Sequence, residues 1–423
     1  MTKKRARSPS PSSSSPSDDD DETGGGFLSL AGFSAGGPGS AAGRWGRAVD
    51  AAGNVLAPWC DGKPHCGDGI PTPPTPPLVS LHNEVLRFCD LVCPTPDERV
   101  ARASVVDDLR RVLTGIWPGC RVAVFGSELT GLCLPSSDLD IACLDVTGKD
   151  SVGPLPLRRF AEELRLAGLV DQLEVVESAK VPIVKLVHAR TQIAADVNFN
   201  VPDGLTTGWM MRDFLTAHPP LRPLLLVLKH FLMQRALNET YPSGGVGSFL
   251  LQMMVLSFLQ HRQHRHRHDR AALRRAKGGD AAAAADDNAD DDGGDDDDNA
   301  DDDDDGGSDA YSDFNLGSLL LEFLDLYGRK LNYDGVGISV RGGGSYFRKS
   351  SRSWANANPS RGPPRPGLLC VENPLEPTVD VGRNAFNVAN VRRAFGHAHM
   401  VLVEALVNQQ AHYHHATHYG PDV

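Results

Sequence analysis

The sequence predicts an α+β fold in two parts, a mixed sheet with flanking helices and then a mainly helical region. Three observations predict it. Short apolar segments bounded by Gly, Ser or Asp recur between residues 121 and 200 at strand length. From Leu221 onward apolar residues fall three and four apart, the helical period. Two long stretches, at the N-terminus and near residue 290, have too few apolar residues to offset the entropy of ordering them.

Residues 1–77 form a basic, Ser-Pro- and Gly-rich tail expected to be disordered, closing on the stiff spacer PTPPTPP at 71–77. Its Lys3, Lys4, Arg5 and Arg7 make a cluster of the nuclear-import kind, with Ser-Pro phosphorylation candidates behind it. A nuclear address and an ordinary tail are equal readings. The first folded unit spans 78–203. It opens with a helix from Leu78 to Val92, where Leu81, Val85, Leu86 and Leu91 have helical spacing. A second helix runs from about Asp97 to Leu113, with Pro96 as its start signal. Strands follow at RVAVFGS, DLDIACLD, LEVVES, VPIVKLV and IAADVNFN.

The second unit spans 204–407. PLLLVLKHFLMQRALN and VGSFLLQMMVLSFLQ are helical, and the basic segment HRQHRHRHDRAALRRAK follows. An acidic insert at 278–313 is expected to be disordered. Helix resumes at NLGSLLLEFLDLYGRKL, and a surface-loop insert is expected at 350–366. A final helix runs from about Val388 to Val407, before a His-rich tail at 408–423.

The net charge of −12 comes from one place. Asp280 to Asp313 holds 17 Asp and no Lys or Arg, which leaves +5 on the rest. A mildly basic body suits a phosphate-rich partner without identifying one. The basic segment is a phosphate-binding candidate, weighed against a solvated helix extension. Eight cysteines in a chain this long make no disulfide framework. Cys60, His65 and Cys66, with Cys89 and Cys93 further on, match no zinc spacing. No apolar run approaches the ~20 residues of a membrane span, so no membrane partner is expected.

The chemistry concentrates in VAVFGSELTGLCLPSSDLDIACLD. Asp138 and Asp140 are two apart in a strand, so their carboxylates project from one face while Leu139 and Ile141 point to the core. Like charges side by side call for a cation, and hard divalent metals take oxygen ligands. An acidic strand edge is the bland alternative, and the preceding Gly126 and Ser127 count against it. They end a strand where a helix start presents free N–H groups, which suit a polyphosphate. Asp196, in IAADVNFN, is the third carboxylate of a site for two metals, Mg²⁺ or Mn²⁺. Glu174 and Glu177 lack this context and read as surface residues.

This string resembles the catalytic signature of the DNA polymerase beta-like nucleotidyltransferase superfamily. In wording it is similar to the TRF-type non-canonical poly(A) RNA polymerases, catalytic subunits of TRAMP-like RNA surveillance complexes. The resemblance continues through DVNFN, LLLVLKHFLMQRALNETYPSGGVGSF, NLGSLLLEFLDLYGRKLNY, GGGSYFRK and VENPLEPTVDVGRNAF, over about 78–407 apart from the inserts. It implies a polymerase-beta-like catalytic domain whose leading helix packs on a helical central and PAP-associated domain. It implies ATP as substrate, with Gly126 and Ser127 on the triphosphate and Asp138, Asp140 and Asp196 binding metal. Lys229 would reach the phosphates, and Ser248 and Phe249 would form the nucleotide shelf, where the family usually has Tyr in place of Phe249. Glu372, Asn373, Asp380 and Arg383 fall in the nucleotide recognition motif, where Asn373 replaces the usual acid. Uridylyl-adding relatives commonly have His where this chain has Val379, which favours ATP.

The expected function is template-independent addition of AMP to RNA 3′ ends. Nuclear RNA surveillance, with RNA-binding and helicase partners, and residence in the nucleus or nucleolus come with the resemblance. A uridylyl or mixed-nucleotide tailing enzyme is the alternative on the same fold. An inactive scaffold for RNA decay is the alternative of another class, disfavoured by the intact Asp138, Asp140 and Asp196.

Overall fold

The computed structural model describes residues 75–147, 153–283, 314–352 and 367–419. The N-terminal tail to residue 74, Cys60, His65 and Cys66, most of the acidic insert and nearly all of the 350–366 loop lie outside them. The first helix, α1 (Pro77–Val92), buries Leu81, Val85, Phe88, Cys89 and Val92. Leu86, expected in its apolar stripe, is exposed instead, because Phe88 and Cys89 complete the buried face. The second, α2 (Pro96–Ile116), starts at a capping box. Glu98 N–H donates to Thr95 Oγ1 at 3.2 Å, and Thr95 N–H donates to Glu98 Oε2 at 2.7 Å.

Five strands make one mixed sheet: β1 (Arg121–Phe125), β2 (Leu139–Leu144), β3 (Val170–Val176), β4 (Ile183–His188) and β5 (Ala194–Phe199), in the order β1-β2-β5-β4-β3. β2 and β5 are parallel, and the other pairs are antiparallel. One face packs Ile141, Val184, Leu186 and Val197 against Leu109 and Leu113 of α2 and Phe160 and Leu164 of α4 (Leu155–Leu166). The opposite face is left for chemistry. After β1 comes α3 (Gly126–Thr130), and α5 (Asp203–Ala217) lies against it. Gly204 and Gly208, one turn apart, permit this approach, since a Cβ on either would overlap Phe125 or Leu129.

The second core is helical, built from α6 (Leu221–Met233), α7 (Ser248–Ala283), α8 (Leu316–Asp325) and α9 (Val388–Tyr419). Phe231, Phe258, Phe323, Tyr327 and Phe395 fill its centre, and the Tyr327 hydroxyl donates to Met254 O at 2.8 Å. The buried residues of α1 belong to this core. Helix backbone runs to Ala283, past the expected start of the acidic insert, and α9 continues beyond Val407 to Tyr419. A π-turn (Leu326–Lys330) extends α8, and a short hairpin of β6 (Val336–Ser339) and β7 (Ser345–Arg348) follows. The six described cysteines are free thiols, with Cys89 in the helical core. Among the described residues no helix is long and apolar enough to cross a membrane.

Candidate active site

The site begins where β1 ends. Gly126 has φ +61°, and a Cβ there would overlap the Asp140 carboxylate, so conformation and neighbour both require glycine. The single turn of α3 is closed by Gly131 in the left-handed region, with the Thr130 hydroxyl donating to Gly126 O at 3.0 Å. This places the Ser127 amide on Asp140.

The parallel register of β2 and β5 sets Asp140 directly opposite Asp196, and Asp138 shares the face of Asp140 two residues earlier. The same rung continues through Lys185 on β4 to Glu174 on β3. Lys185 Nζ lies 3.4 Å from Asp196 Oδ2. Burial, with repulsion from Asp138 and Asp196, pushes the Asp140 carboxyl up to about 7. Burial also raises Asp196, against the pull of Lys185. Acids that resist ionising together mark a place short of positive charge. Among the described residues no three His, Cys, Asp or Glu side chains close into a ready-made metal cluster. The all-oxygen set on one sheet face nevertheless suits a hard divalent cation.

A cavity of about 740 Å³ opens in front of these residues. From the sheet unit it is lined by Gly126, Ser127, Asp138 and Asp140, and from the helical unit by Lys229, Ser248 and Phe249. Lys229, on α6, donates to Leu132 O at 2.8 Å. Burial pushes its amine down, while Cys133, Asp138 and Asp140 pull it up. Asp196 stands one strand behind Asp140 and does not line the cavity, although Ala194 of its strand does.

Glu372, Asn373, Asp380 and Arg383 are not brought to this lining. Glu372 is buried, accepting from Ser339 Oγ at 3.0 Å and paired with Arg352 at 2.7 Å. Asp380 Oδ1 accepts from Val371 N–H at 3.0 Å and Gly382 N–H at 2.9 Å, which caps the short turn Val381–Asn384. Asn373 Oδ1 accepts from Leu375 N–H at 3.0 Å. In this arrangement the acids shape the loop that carries them. Sequence reasoning missed Lys185, whose place beside Asp196 depends on strand register. It also missed Thr207, Asn238, Glu239 and Gln252 of the lining, for which no local signal exists.

The family described as "Poly(A) RNA polymerase, mitochondrial-like, central palm domain" matches residues 81–215, and "Cid1 family poly A polymerase" matches 315–379. The chain is 34% identical over 353 residues to the Drosophila melanogaster "Inactive non-canonical poly(A) RNA polymerase protein Trf4-2", covering 82% of this chain and 73% of that protein. It is 31% identical over 326 residues to the Schizosaccharomyces pombe "Poly(A) RNA polymerase cid14", covering 77% of this chain. The chain spans only 41% of that relative and 36% of the Cryptococcus neoformans protein of the same name. Among solved structures, the polymerase core of TRAMP, "a RNA surveillance complex", superposes with a TM-score of 0.62 at 27% identity, over 79% of this chain and 90% of that one. The Cid1 poly(U) polymerase shares the fold, with a TM-score of 0.52 at 20% identity over 74% of this chain and 90% of that one.

Proposed function

The chain belongs to the non-canonical poly(A) RNA polymerase family, and from that premise we propose that its cleft transfers AMP from ATP to the 3′ end of an RNA. The observation that carries this is the single rung of Asp140 and Asp196, with Asp138 on the same face, beside a cavity able to admit a nucleotide. Asp138, Asp140 and Asp196 would hold two divalent ions, Mg²⁺ or Mn²⁺. Bound there, such ions favour ionisation of the attacking 3′-hydroxyl and neutralise the leaving pyrophosphate. Gly126 and Ser127 offer a close backbone approach to the triphosphate. Lys229 adds a buried cation between the two units, where low water content strengthens its pull on phosphate. Phe249 offers a ring face to the base, and Ser248 stands beside it.

The choice of ATP comes from the motif likeness at Val379, which lies outside the cavity lining and stands where uridylyl-adding relatives commonly have a His that would hydrogen-bond uracil and crowd a purine. Incubating the protein with a short RNA, each NTP in turn, and Mg²⁺ or Mn²⁺ tests the reading. ATP should be incorporated well ahead of UTP, and a preference for UTP would favour the uridylyl alternative. Val379→His should shift relative kcat/KM towards UTP by about one modest hydrogen bond, ~1 kcal/mol. Transfer from no NTP would favour the scaffold reading, which the relative named inactive keeps in view. The retained carboxylates at the cleft speak for activity. A nuclear role in RNA surveillance, alongside RNA-binding and helicase proteins, is supported by the TRAMP likeness and the basic cluster at Lys3, Lys4, Arg5 and Arg7.

A further inference from the structure

Arg102 is a buried guanidinium outside the cavity lining, and all three of its nitrogens are engaged. It rises from α2. Its Nε donates to Glu128 Oε2 at 2.6 Å, on the short helix that carries Ser127. Its Nη1 donates to Ser137 O at 2.8 Å and its Nη2 to Asp138 O at 3.0 Å, in the loop that delivers Asp138 to β2. The Cys133 thiol closes the network, 3.3 Å from Glu128 Oε2 and 3.4 Å from Ser127 Oγ.

We propose that Arg102 is a positioning residue that sets the spacing between the Ser127 turn and the Asp138 carboxylate. The inference rests on the adenylyl-transfer reading above. Two carbonyls and one carboxylate, converging from separate segments, meet the fixed fork of a guanidinium, which no other side chain reproduces. Charge balance alone would need only Glu128. The contacts to the Ser137 and Asp138 carbonyls anchor to α2 the backbone of a loop whose own ties are a local turn, Leu134 N–H to Ser137 Oγ at 3.0 Å and Ser137 N–H to Leu134 O at 2.9 Å, and one side-chain contact, Ser136 Oγ to Met233 Sδ at 3.3 Å. Losing them lets the Asp138 carboxylate drift from the triphosphate, and misplacement of about an ångström at a reacting centre is costly.

The test uses the full chain with Arg102→Lys, Arg102→Gln and Glu128→Gln. Each is titrated with Mn²⁺ and ATP, together and apart, and read by thermal shift and by calorimetry. Arg102→Lys keeps the charge for Glu128 but loses the fork. It should fold and bind Mn²⁺–ATP about ten-fold more weakly or worse, the scale of lost outer-shell support. Its kcat should fall further than its KM rises. Glu128→Gln keeps both carbonyl contacts and should stay within a few-fold of the wild type. Wild-type affinity and kcat in a folded Arg102→Lys or Arg102→Gln would overturn the proposal and leave Arg102 a stability residue. If both Arg102 variants fail to fold, Glu128→Gln decides by the metal concentration giving half-maximal ATP binding. A midpoint within a few-fold of the wild type supports the division of labour, and one shifted about ten-fold or more refutes it. A wild type that binds no Mn²⁺–ATP would instead sink the underlying reading.

Discussion

At the scale of single residues, Asp140 carries the most information. Its carboxyl is held up to about 7 in the folded chain, against 3.8 when free of its surroundings. The folded protein therefore keeps a proton that the unfolded chain releases near pH 4, and this group's contribution to stability is lost as pH rises from about 4 through about 7. Mn²⁺ should accordingly raise the melting temperature more at pH 8 than at pH 6, and Asp140→Asn should flatten the difference. Equal shifts at both pH values in the unmodified protein would count against a metal at this carboxylate. In turnover, Asp138→Ala and Asp140→Ala should each abolish RNA extension while leaving the melting profile cooperative. Either variant working at near wild-type rate would remove that residue from the metal set. These two acids were legible because a period of two puts both on one face, and Gly126 was legible from its place at a strand end. Lys185 was not. Its neighbour Asp196 is eleven residues away in sequence and adjacent only through the β4–β5 register. Glu372 and Asp380 were legible as acids in a motif, but their hydrogen bonds to Ser339 Oγ and to the amides of Val371 and Gly382 could not be read from it.

At the scale of elements, the sequence pattern was clearest where burial is one-sided. The five strands and the start of α2 stand within a few residues of where alternation and Pro96 put them. The α5 helix was invisible, because its buried residues are only Gly208 and Met211, too few to print a period. The β6–β7 hairpin was equally hidden, its strands four residues long around the triple glycine 342–344. That hairpin gives the basic end of α7 a neighbour. His261 stacks on Tyr346 with ring centroids 3.8 Å apart, His264 meets Gly343 O at 2.9 Å, and Arg265 lies close enough to act on the Tyr346 hydroxyl. Tyr346 stays 42% exposed, so its ring and the exposed Arg265 guanidinium face outward together. Such a surface suits single-stranded RNA, through stacking and phosphate contact. Tyr346→Ala should weaken RNA binding several-fold, and Arg265→Ala should make binding less salt-dependent, with Mn²⁺–ATP affinity unchanged. Fluorescence anisotropy with one labelled RNA at two salt concentrations checks both. Wild-type affinity and salt slope would place the RNA elsewhere.

For the whole molecule, the acidic run explains the net charge and lies almost wholly outside the described residues. Deleting 286–309 should shift the melting temperature by no more than about 2 °C, since a run of Asp, Ala, Gly and Asn has too few apolar side chains to add to a core. It should also strengthen RNA binding, because a tethered run of Asp repels a polyanion. A large fall in melting temperature would show that the run supports the fold. The division into two units was legible as a change of period near residue 203, whereas the packing of α1 on the helical unit came only from the family resemblance, since a helix's own pattern does not announce its partner. Its Leu81, Val85 and Phe88 pack with Leu224, Leu319 and Leu402, residues that follow by more than 130 positions. Synthesis runs from the N-terminus, and domains generally form as they emerge. Everything the sheet unit needs is on hand once residue 217 has left the ribosome, whereas α1 by then is already made and still lacks its seat. Its apolar stripe must wait through the making of some two hundred further residues. A helper that masks exposed apolar helix during translation would find its first client surface there, and the sheet unit would stand finished while the helical unit is still being written.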